Sequence, residues 1–267
     1  MVLTDPESSP SDRGSPMPEG GTMRPGPLSP SPPSTGYGRP LVFALAAGLI
    51  AGAGSWLAGE FIVGAYQSEL TPALKARPSA EDMQRLRDAR LYSAALTFTA
   101  MGGFLGLAMG LAGGLAQRSA TASARAAILG LVLGTAAAAS TALVILPIFF
   151  KRHDPQTGDL VLPLFTHGGI WSTIGVVGGL AFGLGLGGRS KWKATLVGGL
   201  IGAAAATIVY EIVGAVGFAS NKTELPLSSA ITTRAMAQLL VAVLSAVGAA
   251  LALRQSANRE ASSSVSN

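Results

Sequence analysis

Six long apolar runs constrain this chain more than any other feature. They cover Leu41–Tyr66, Leu91–Ala116, Ala126–Phe150, Leu164–Gly187, Ala194–Phe218 and Ala235–Leu253. At about 1.5 Å rise per residue, some 20 helical residues cross the roughly 30 Å hydrocarbon core of a bilayer. A backbone in lipid must satisfy its own hydrogen bonds, so runs of this length fold as helices. The sequence therefore predicts an all-α, polytopic membrane bundle of six transmembrane helices over residues 40–254. The fourth run is the least hydrophobic, diluted by His167, Ser172, Thr173 and several glycines.

Composition agrees. Only 12% of the residues are charged and mean hydropathy is +0.45, whereas soluble domains carry about 25% charged residues. The net charge of +5 is scattered through loops, with no basic face or aromatic platform for bases, so nucleic acid is not an expected partner. The expected partners are the lipid bilayer and other membrane subunits, or further copies of the chain. The chain contains no cysteine, which removes disulfides, thiol nucleophiles and thiolate metal sites. Two histidines offer too little for a His-based metal site, and no cofactor is expected. No Ser/His pair, metal-ligand spacing or acidic phosphotransfer motif points to an intramembrane enzyme.

Outside the spans, residues 1–39 are rich in Pro, Ser and Gly; with Pro40 they hold ten of the sixteen prolines. Such a segment buries too little to offset its ordering entropy and is expected to be a disordered, solvated tail. It lacks the apolar stretch of a secretory signal. Residues 255–267 are likewise expected to form a disordered tail. Between the first two spans, Ser79 followed by Glu81 and Asp82 has the form of a helix start, predicting a charged helical lead-in to the second span.

Loop charges orient the bundle. Arg118 and Arg125 follow span two, Arg189, Lys191 and Lys193 follow span four, and Arg254 and Arg259 follow span six. The alternate loops mix signs. The positive-inside rule places both termini in the cytoplasm, in a membrane of bacterial inner-membrane character.

Glycines recur at helical spacing in Gly48/Gly52, Gly106/Gly110, Gly130/Gly134, Gly179/Gly183 and Gly198/Gly202. Lipid tails are as apolar as leucine, so membrane helices associate through close contact, which glycine permits. The odd spans share such a pair near their starts, and the second and fourth close on a similar Arg-Ser turn. This pattern reads as three tandem two-helix hairpins, in competition with simple compositional likeness.

Ionisable groups at membrane depth are functional candidates by default. Counting residues along helices of the predicted direction brings Glu60, His167, Glu211, Arg234 and Gln238 to one layer near the outer face. The expected arrangement pairs Glu211 with Arg234, with the others nearby. Trp56, Trp171 and Tyr210 read as packing residues or interface anchors, and Pro147 as a loosening of the third span. Two functions compete: a structural scaffold or complex subunit, and a small-solute or ion transporter with a polar site around Glu211.

Overall fold

A computed structural model describes residues 38–70, 79–153, 161–187 and 191–265. Six helices order the chain: α1 (Gly38–Leu70), α2 (Ala80–Ala116), α3 (Ala120–Arg152), α4 (Val161–Leu186), α5 (Lys191–Gly217) and α6 (Ile231–Val265). A 3₁₀ turn at Ala219–Asn221 lies between α5 and α6. All six are long and apolar enough to span a membrane, and no strand occurs among the described residues. The chain is a multi-pass membrane protein by this architecture.

The expected N-terminal tail lies outside the described residues, except that Gly38 and Arg39 already belong to α1. At the other end, α6 runs through the expected C-terminal tail to Val265. Extending an existing helix needs no new nucleus, and Arg254, Gln255, Ala257, Arg259, Glu260 and Ala261 are competent helix formers. The lead-in to α2 forms as its sequence suggests. Ser79 Oγ accepts from the Asp82 amide at 3.1 Å, and Asp82 Oδ2 accepts from the Ser79 amide at 3.0 Å. This capping box satisfies two helix-end donors reciprocally. Pro147 leaves α3 continuous to Arg152.

The even-numbered helices lie inside and the odd-numbered ones outside. Helix α1 packs between α6 and α2, α3 between α2 and α4, and α5 between α4 and α6. In the apolar span of α4, 67% of residues are buried, against 22% for α3. The outer helices present residues such as Ile50, Phe61, Val132 and Ile201 to the surroundings.

The tightest joint is α2 on α3. A Cβ on Gly106 would strike the carbonyl of Gly130, and one on Gly130 would strike that of Gly106. Gly102 and Gly134 block each other in the same way, and Gly110 abuts the Ala126 carbonyl. On the α4–α5 joint, Gly179 meets Thr195 and Gly183 meets Trp192. Gly198 and Gly202 meet Gly248 and Leu244 of α6. Gly48 and Gly52 also face α6, more loosely, with the nearest atoms 3.0 Å from an added Cβ. These close approaches are backbone on backbone, where any side chain would force the axes apart.

The three aligned glycine pairs therefore do not occupy equivalent places. In passing from α1 to α3 to α5, the neighbour that matches α6 and then α2 is α4. Gly130/Gly134 face α2 as that pattern requires, but Gly198/Gly202 face α6, and it is Thr195 and Gly199 that meet α4.

Candidate functional site

Antiparallel succession brings the end of α1, the start of α6, the start of α4 and the end of α5 to one end of the bundle. All five polar residues singled out in the spans lie there, joined differently from the expected pairing.

Arg234, in the first turn of α6, faces α1. Its Nε donates to Glu60 Oε1 at 2.7 Å and its Nη2 to Glu60 Oε2 at 2.6 Å. The remaining nitrogen, Nη1, donates to the carbonyls of Ser228 and Ser229 at 3.0 and 3.1 Å. The two side chains are only 12% and 21% exposed. A two-pronged guanidinium–carboxylate contact fixes geometry as well as neutralising charge. One side chain thus ties α1, α6 and the α5–α6 connection together.

Glu211 pairs with His167 of α4 rather than with Arg234, Nδ1 to Oε1 at 2.6 Å. With the carboxylate ionised, the imidazole N–H is the donor. His167 is fully buried, stacked on Trp171 at 4.8 Å and edge-on to Tyr210 at 5.5 Å. Trp171 and Tyr210 complete the box at 5.2 Å. Trp171 and Tyr210 are thus core residues, not interface anchors. The sequence reading placed Glu211 and Arg234 at similar depth but had no hold on their direction around the axis. One residue turns a helix by about 100° (3.6 residues per turn), and that rotation decides which neighbour a side chain meets. A signal was present: His167 and Trp171 are four apart, hence stacked on one helical face.

Gln238, one turn beyond Arg234, lines a small, partly open cavity with Thr97, Phe98, Trp171 and Tyr210, with Pro226–Ser228 of the α5–α6 connection on its wall. The cavity lies where α2 and α6 scarcely touch. Neither His167 nor Glu211 lines it. A separate open groove of about 570 Å³ runs between the lead-in of α2 and the end of α3, lined by Arg87, Asp88, Phe150 and His153 among others. Among the described residues no three His, Asp or Glu side chains converge as a metal-ligand set.

No family model matches the chain, and neither a curated protein nor a solved structure matches it significantly.

Proposed function

We propose that this protein is a non-transporting membrane component, a scaffold or a subunit of a larger membrane assembly, and that its intramembrane polar residues act as clamps between helices. The observation that carries this reading is charge closure. Glu60 is matched by Arg234 and Glu211 by His167, and the nearby cavity reaches neither His167 nor Glu211. A transport site needs an ionisable group that a permeating solute or proton can reach. Here each carboxylate is engaged by a neighbouring helix. The apolar outer faces of α1, α3 and α5 suit lipid or adjoining subunits, and further copies of the chain could occupy the same faces.

The orientation proposed from loop charge has both termini in the cytoplasm of a bacterial-type inner membrane, with the polar end outward. The cysteine-free sequence makes this simple to test. Ser220→Cys, in the α5–α6 connection, should react with an impermeant maleimide on intact cells. Ser262→Cys should react only after permeabilisation. The reverse pattern would invert the topology.

The transport alternative rests on Glu211, which retains 17% exposure. Proton, sodium and potassium flux into reconstituted vesicles separates the two readings. The scaffold reading expects the leak of protein-free vesicles for all three ions. Flux above that level would overturn it, and its loss in Glu211→Gln would assign the pathway to that carboxylate.

A further inference from the structure

Two side chains that line the cavity by the α5–α6 connection each carry a buried, unpartnered polar atom. Trp171 Nε1, a donor, and Gln238 Oε1, an acceptor, are both fully enclosed and have no hydrogen-bond partner among the described residues. Both side chains line this same cavity, and the residues are only 2% and 5% exposed. A buried polar atom left unpaired costs about 1–3 kcal/mol, so native structures nearly always provide a partner.

The space there is about 20 Å³ for the centre of a water-sized molecule. Roughly 10–15 Å³ is enough to admit one water. We infer that this cavity is a binding site for one neutral, water-sized hydrogen-bonding molecule, water itself in the resting protein, held between Trp171 and Gln238.

The donor and acceptor count fits that ligand. A water accepts from Trp171 Nε1–H and donates one hydrogen to Gln238 Oε1. Thr97, Tyr210 and Ser228, which line the same space, offer oxygens for its second hydrogen. Thr97 Oγ1 is free to accept, because its own hydrogen goes to the Ser93 carbonyl at 2.8 Å. Three bonds is the usual number for a buried water.

Charged ligands fit poorly. Arg234 lines the cavity and repels a cation. Four of its five N–H groups are already committed to Glu60 and two carbonyls, and its charge is offset by the Glu60 carboxylate, which leaves little to hold an anion. The Gln238 oxygen would also repel an anion. The connection beside the site is held by that same guanidinium through the Ser228 and Ser229 carbonyls. The clamp that joins α1 to α6 therefore also holds one wall of the pocket in place.

X-ray hydroxyl-radical footprinting of the full chain in lipid nanodiscs tests this site, because radicals formed from a bound water oxidise the side chains beside it. Met101 and Trp171 line the cavity, while Met109 is equally buried and does not. Met101 and Trp171 should oxidise several-fold faster than Met109. Equal rates for Met101 and Met109 would overturn the proposal without any variant. Gln238→Leu removes the acceptor and should bring Met101 and Trp171 down to the Met109 rate. Ala237→Leu, which fills the cavity from its wall and leaves both polar groups in place, should do the same. Unchanged rates in either folded variant would refute a water held at this position.

Discussion

Helix α3 is fastened to α2, and α1 to α6, by different means. The first joint is backbone against backbone: Gly102, Gly106 and Gly110 lie so near Gly134, Gly130 and Ala126 that a Cβ has no room. No ion pair joins α2 and α3 among the described residues. The second joint is less tight at Gly48 and Gly52, where an added Cβ would lie 3.0 Å from its nearest neighbours, and it carries the Glu60–Arg234 clamp near one end. In lipid, where apolar burial does not draw helices together, close fit and polar pairing are the two available fasteners. Close fit is distributed along a joint and tolerates no added atom. A clamp is local and holds even where the rest of the joint fits less closely.

The largest effect should come from Gly106→Leu. No rotamer avoids the Gly130 carbonyl, so α3 cannot dock, and size-exclusion chromatography in detergent should show loss of the monodisperse species. Arg234→Met should follow. It strands Glu60 in a partly buried setting, where breaking one half of an ion pair costs about 3–5 kcal/mol. A large drop in thermal midpoint with the helical circular-dichroism signal intact at low temperature would fit that. Ser79→Ala should cost about 1 kcal/mol, the usual value of an N-cap. Its effect should be confined to faster amide exchange over the lead-in of α2. The smallest change should be Gly48→Ala, where neighbours at 3.0 Å need shift only slightly. A midpoint nearly unchanged there, beside a marked loss for Gly106→Ala, would sharpen the contrast. Equal losses would erase it.

These two joints also mark how far the sequence could be read. Span number and the gathering of Glu60, His167, Glu211, Arg234 and Gln238 at one end follow from counting residues along helices, because depth depends only on rise. The helix start at Ser79 was legible because its signal is encoded within four consecutive residues, whereas the reciprocal capping bonds appear only in the structure. Partnership was not. Whether Glu211 meets His167 or Arg234 depends on helix rotation and on which helices are neighbours, and no short-range pattern carries either. The glycine pairs showed that close joints exist without showing which helices they join. Gly198/Gly202 looks like Gly130/Gly134 in sequence yet faces a neighbour in a different place. The continuation of α6 to Val265 escaped notice because polar composition was read as disorder, although an established helix propagates through such residues at little cost.

The Glu60–Arg234 pair acts as a structural clamp, and a double-mutant cycle measures that directly. Glu60→Gln, Arg234→Met and the double variant would be compared with the parent chain by thermal unfolding in the same detergent. Each single change should lower the midpoint strongly, and the double variant should recover much of the loss, since neither leaves a stranded charge. Contacting residues typically show coupling of about 0.5–3 kcal/mol, and a value toward the upper part of that range is expected here. Additive losses, with the double variant as unstable as the sum of the singles, would show that the pair does not hold these helices together.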